Sequence, residues 1–191
     1  MAIDYKKLWL GSYKDRHRNN MMPYLASSII IGSSYYFGFA PSVIDWGCGQ
    51  GHSYEAFRVC DIHAVALVDI SETQYEGPKH LFVEGSVLDA RLGHTAEFGY
   101  CSDVLEHLEE EDIDKALHTM FLHADCGVFV NVGTEKDAWR DSDGYHELHA
   151  TVKPATWWGD KLKEYGRISM AGAVIPVNNS FFFVECKDWR T

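Results

Sequence analysis

Residues Val43 to Gly51 read VIDWGCGQG, a short apolar run that ends in Asp45 and then turns through Gly47, Gly49 and Gly51. Glycines at that spacing permit positive φ and let a ligand lie against backbone with no Cβ in the way. At the carboxyl end of a first strand, such a turn opens where open α/β sheets bind ligands. A dinucleotide fingerprint needs G-x-G-x-x-G, and the third glycine position here holds His52, which counts against a dinucleotide-dependent oxidoreductase. A tight strand-to-helix turn with no ligand would also use these glycines. The context is what adds to them. Asp69 closes a second apolar run, ALVDIS, 18 residues after Gly51, where a carboxylate can accept both hydroxyls of a ribose. Asp69 could instead cap a helix, but Ser71 already offers that cap.

A second group of reactive side chains lies in YCSDVLEHL, Tyr100 to Leu108. Asp103, Glu106 and His107 stand at i, i+3 and i+4, which would put them on one face of a helical turn. The long polar stretch Thr134 to Lys153 follows the next apolar run and holds Trp139, Arg140, Tyr145, His146 and His149. A connection of that length after a buried strand is commonly functional. Imidazole titrates near neutral pH, so His107 or His149 can act as a general base, with Asp103 as the third member of the set.

Four segments in order carry a resemblance: VIDWGCGQG, ALVDIS, FVEGSVLD (Phe82 to Asp89) and YCSDVLEHL. Together they resemble the motifs of the class I S-adenosylmethionine-dependent methyltransferases over Val43 to Leu108, most closely the methyltransferase type 11/12-like, ubiquinone-pathway-like group. The resemblance implies S-adenosylmethionine as cofactor. It implies a cradle from Asp45, Gly47, Cys48, Gly49 and Gly51, with Asp69 and Ile70 on the ribose side. Adenine contact would fall to Ser86 and the backbone at Val87, since Ser86 stands where the family usually has an acid, and Ser102 would complete the site. The Thr134 to Lys153 stretch would hang over the cofactor methyl. The acceptor expected is a small molecule or sugar-type compound with an O- or N-nucleophile.

D-x-x-E-H with a distant histidine is also similar to the E-x-x-E-H plus His arrangement of two metal-using groups, the small-RNA terminal 2′-O-methyltransferases and the ubiquinone-pathway O-methyltransferases. That resemblance implies Asp103, Glu106, His107 and His149 as ligands of a divalent ion that lowers the pKa of a substrate hydroxyl. The first position here is the shorter Asp. The plainer and preferred alternative has no metal: Glu106 and His107 cap the following helix and pack against the cofactor loop. A third possibility is a module that binds the cofactor without catalysis.

The elements must bring these groups together. Ser42 to Asp45, His63 to Asp69, His80 to Val83, Phe98 to Ser102 and Gly127 to Val132 are apolar runs suited to strands buried on both faces. Glu109 to Ala124 and Pro154 to Tyr165 have helical spacing, the first with an acidic opening turn. Ile168 to Val177 and Ser180 to Cys186, joined through Asn178 and Asn179, predict a closing antiparallel hairpin. The expectation is a doubly wound, mostly parallel seven-stranded sheet, a Rossmann-like methyltransferase fold, as one domain over 1–191 with a helical cap in 1–40.

Composition sets the outer bounds. The 191 residues are 46% hydrophobic and 24% charged, which suits a globular core rather than disorder. With 28 acidic against 17 basic side chains and a formal charge of −11, the surface repels phosphate backbones, so bulk nucleic-acid binding is not expected. The nearest basic cluster is the short Lys14, Arg16, His17, Arg18. Five scattered cysteines with no C-x-x-C read as reduced thiols in a cytoplasmic protein. Met21 to Ile44 lacks charge but contains Pro23, Gly32, Gly38 and Pro41, which suits a packed helix and loop better than a membrane span. Tyr5, Trp9 and Tyr13 predict a further packing segment.

Overall fold

The computed structural model describes residues 21–72, 75–141, 144–174 and 178–187, with backbone alone for 36–37, 138–141 and 144–146. The aromatic and basic N-terminal features lie outside the described residues. Helix α1 (Met22–Phe37) opens with proline in its first turn and closes on Gly38. Its uncharged sequence is reconciled with a helix by four serines. Ser27, Ser28, Ser33 and Ser34 each donate a hydroxyl to the carbonyl four residues back. No helix among the described residues is long and apolar enough to cross a membrane.

The remaining elements are β1 (Ser42–Trp46), α2 (Ser53–Val59), β2 (His63–Asp69), β3 (Phe82–Glu84), β4 (Ala96–Ser102), α3 (Ile113–Leu122), β5 (Ala124–Gly133), β6 (Ala138–Asp141), β7 (Gly144–Glu147), α4 (Ala155–Lys163), β8 (Gly166–Val174) and β9 (Asn179–Cys186). Seven strands form one sheet in the order β3-β2-β1-β4-β5-β9-β8. Pairs from β3 through β5 are parallel, while β9 runs antiparallel between β5 and β8. This is the doubly wound sheet with a closing hairpin that the sequence predicts.

Adjacent residues on a strand point to opposite faces, and the core divides accordingly. Ile44, Val68, Cys101, Val130 and Val184 pack with Leu117 of α3 and Trp158 of α4. Val43, Leu67, Tyr100, Phe129 and Phe183 pack with Ile30 of α1 and Phe57 of α2. Trp158 is thus core, as its helical position suggests.

Three local differences from the sequence reading have physical causes. The acidic opening turn Glu110–Asp112 is 3₁₀, and the α-helix begins only at Ile113. That helix stops before Ala124 because the amide of Ala96 pairs with the carbonyl of His123 and starts the β4–β5 ladder there. Finally, Thr134 to Lys153 is not a plain loop, since β6 and β7 form a two-stranded hairpin inside it.

Candidate functional site

Strand order reverses between β1 and β4, which leaves a crevice at their carboxyl ends. The glycine turn forms its floor. The amides of Gly47 and Cys48 donate to the Val68 carbonyl at 2.8 and 3.0 Å, which ties the turn to β2. Gly49 donates its amide to Asp69 Oδ2 at 2.9 Å. Two of the glycines are required for distinct reasons. Gly47 has φ +78, and a Cβ there would run into the Val104 side chain. Gly51 has φ +80, and its Cβ would sit 2.7 Å from the Tyr75 ring. Gly51 therefore makes room for an aromatic bracket and does not line the crevice.

The crevice opens into a cavity of about 420 Å³, within the usual range for small-ligand sites. Its wall includes Asp45, Gly47, Cys48, Gly49, Asp69, Ile70, Ser86, Val87 and Ser102, so all the expected cofactor residues except Gly51 meet there. Asp103 and His107 border the same space. Asp45 is buried at its base, and burial pushes its carboxyl up to about 7; the Ser53 hydroxyl, which donates to Asp45, opposes this, and Asp69 adds to it. Ser86 lines the cavity and uses its hydroxyl to accept the Leu88 amide at 3.2 Å.

On the far side, Asp103 departs from the expected helical face. It has φ 57, in left-handed backbone, and the 3₁₀ turn Leu105–His107 begins after it. Its carboxylate is held from both sides. Asn179 donates to Oδ1 at 2.6 Å, while Ser102 and Asn131 donate to Oδ2 at 2.8 and 3.3 Å.

Glu106 is fully buried. Its Oε1 accepts the Gly133 amide at 2.6 Å, and Oε2 meets no hydrogen-bond partner among the described residues. Burial, followed by the nearby Asp103, pushes this carboxyl well above its ordinary range. His107 and His149 stand edge to face with centroids 5.1 Å apart. The Nδ1 of His107 lies 2.9 Å from the Leu148 carbonyl, and that of His149 lies 2.6 Å from the Glu135 carbonyl. Only a nitrogen carrying hydrogen can bond a carbonyl, so each ring turns Nε2 to the acceptor role. One ligating atom from each of Glu106, His107 and His149 lies within 4.8 Å of the others. Asp103 is not in that group.

Among the described residues, none of Thr134 to Lys153 lines the cavity, and the described part of the stretch acts as a buttress. Thr151 donates its amide to the Glu106 carbonyl at 2.9 Å and its hydroxyl to the Leu108 carbonyl at 2.7 Å, which clamps the turn that carries His107. The side chains of Trp139, Arg140, Tyr145 and His146 lie outside the described residues.

No protein-family model and no curated protein matches this chain. Solved structures do. A 1,6-didemethyltoxoflavin-N1-methyltransferase from Burkholderia thailandensis, with bound S-adenosylhomocysteine, aligns at TM-score 0.70 and 14% identity over 96% of this chain and 88% of its own. An S-adenosylmethionine-dependent methyltransferase from Clostridium acetobutylicum aligns at 0.67 and 14%, covering 90% and 94%. CalS10, an amino pentose methyltransferase from Micromonospora echinaspora with bound S-adenosylmethionine, aligns at 0.64 and 13%, covering 91% and 95%. The chain has the methyltransferase fold.

Within this fold several site residues carried no signal in the sequence. Pro23 and Tyr24 of α1 and Glu55 of α2 line the cavity mouth. Asn131 and Asn179 grip Asp103 although they lie 28 and 76 residues from it. Asn178–Asn179 was legible only as a turn, and Asn131 sits unmarked inside GVFVNV. His52, which stands at the third glycine position of a dinucleotide fingerprint, lines the cavity, with Nε2 3.0 Å from Gln50 Oε1.

Proposed function

We propose that this protein transfers the methyl group of S-adenosylmethionine to a small-molecule acceptor. The observation that carries the reading is the continuity of one cavity from the Gly47–Gly49 turn and Asp69 to Asp103 and His107. Bound S-adenosylmethionine supplies an electrophilic methyl on a sulfonium; the acceptor lone pair forms the new bond as the S–C pair returns to sulfur. Asp69 accepts the ribose hydroxyls beside its bond to Gly49, and Ser86 and Val87 face the adenine. Asp45, at the base of the cavity, balances the positive charge of the amino-acid end. His107, with Nδ1 given to Leu148, takes the acceptor proton on Nε2, and Asp103 orients the acceptor by accepting its O–H or N–H. Positioning of this kind is the protein's main contribution when the electrophile is already activated. The acceptor expected is a compact alcohol, amine or sugar, in keeping with the amino pentose and the 1,6-didemethyltoxoflavin named for two of the structural neighbours.

Calorimetry tests this directly. S-adenosylhomocysteine should bind with a Kd in the micromolar range or below, and Asp69→Ala should weaken it roughly ten-fold or more. No measurable affinity for either form of the cofactor ends the proposal.

A second reading, metal-assisted O-methylation, is favoured by the Glu106, His107 and His149 group. Metal-bound histidines usually donate their other ring nitrogen to a carbonyl, as both do here. The buried Oε2 of Glu106, without a partner, fits a cation ligand as well. Such an ion would lower the pKa of an acceptor hydroxyl. The supporting set is three residues, not the four that the sequence resemblance implied, since Asp103 is engaged by Asn131 and Asn179. Removing divalent ions with chelator should then abolish transfer, and manganese or magnesium should restore it in the native protein but not in Glu106→Gln. Full turnover in chelator leaves His107 as a metal-free base.

A further inference from the structure

We infer that the Asn178–Asn179 turn of the closing hairpin is the positioning element of the acceptor side of the site. This rests on the methyl-transfer reading above and adds two residues to it. The turn reaches both branches of the acceptor wall. In one direction, Asn179 Nδ2 donates to Asp103 Oδ1 at 2.6 Å. In the other, the Asn178 carbonyl accepts the Thr134 amide at 3.0 Å and the Thr134 hydroxyl at 2.6 Å. Asn178 Nδ2 donates to the Glu135 carboxylate at 2.7 Å. The Glu135 carbonyl in turn holds His149 through Nδ1 at 2.6 Å.

The strain in the backbone supports a positioning role. Asp103 and Asn178 both occupy left-handed φ, at 57° and 53°. A non-glycine residue persists there when its surroundings over-determine it, and such residues cluster at functional sites. Asp103 meets that description, since three donors from three strands converge on its carboxylate. Ser102 comes from β4, Asn131 from β5 and Asn179 from β9. Every one of these neighbours donates, so the group is fixed as an acceptor and its rotation is removed. Asn179 acts only through Asp103, and so it is a positioning residue.

Substitution of Asn179 separates this role from simple hairpin support. Asn179→Asp keeps the shape, replaces the donor by an acceptor and sets a like charge beside Asp103. In the full chain, Asn179→Asp should lower kcat for methyl transfer while the KM for S-adenosylmethionine stays within about two-fold, and Asn179→Gln, which keeps an amide donor, should recover part of the lost rate. Asn179→Ala should lower kcat in the same way by less. Cofactor affinity should stay within about two-fold in both. Methyl transfer from labelled S-adenosylmethionine into a panel of small alcohols and amines should fall roughly ten- to a hundred-fold in Asn179→Asp. An unchanged kcat in Asn179→Asp, or loss of cofactor affinity in both Asn179→Asp and Asn179→Ala, overturns the inference. Failure of the native protein to bind S-adenosylhomocysteine overturns the methyl-transfer reading instead, so the two failures are distinguishable.

Discussion

At the scale of single residues, Asp45 couples protonation to stability and, on the methyl-transfer proposal, to cofactor affinity. Its carboxyl is buried and pushed to about 7 from an ordinary 3.8. Between those values the folded chain keeps a proton that the unfolded chain has lost, so this residue makes stability fall as pH rises from about 4 to 7. The span is worth at most about 4 kcal/mol. A ligand ammonium group placed beside it reverses the preference, because it is best matched by the ionised carboxylate. We therefore expect S-adenosylhomocysteine to bind roughly ten-fold more tightly at pH 8 than at pH 5.5. Asp45→Asn should flatten that dependence, as calorimetry at the two pH values can show. Asp45 and Asp69 were legible from sequence because each directly follows an apolar run. The reason for Gly51 was not, because Tyr75, the ring it accommodates, comes from a turn 24 residues further on.

At the scale of elements, the hydrophobic runs located every strand of the main sheet, but their ends depended on pairing partners the sequence does not display. The β5 strand begins at Ala124 rather than Gly127 because Ala96 lies opposite it in register. The Asn131 and Asn179 contacts were hidden for the same reason. They arise from the β4–β5 and β5–β9 registers, which no local pattern encodes. Helix α3 has a plainer origin, with Ile113, Ala116, Leu117 and Met120 on one face, all fully buried. Leu117→Ala should accordingly lower stability by about 2–5 kcal/mol. A urea denaturation series should show this as a lower midpoint at unchanged slope, and a change under about 1 kcal/mol would mean that the helix face is not packed as described.

For the molecule as a whole, charge and cavity point the same way. The chain carries −11, and no lysine or arginine lines the cavity among the described residues. Polyphosphates and nucleic-acid backbones meet no counter-charge there, whereas cationic S-adenosylmethionine meets carboxylates. A single-stranded RNA oligonucleotide should therefore neither bind appreciably at about 0.15 M salt nor displace S-adenosylhomocysteine. Fluorescence anisotropy of a labelled oligonucleotide is the check, and tight binding would reopen the RNA-end alternative.

The place of β9 has a consequence for how the chain is made. The strand emerges after β8 yet sits between β8 and β5, pairing with both. While a ribosome is still adding residues 179–186, β5 has a bare edge and β8 has no seat in the sheet. An edge of that kind is an open template for another chain. A transcript truncated ahead of β9 would thus yield an adhesive, incomplete product rather than a smaller enzyme.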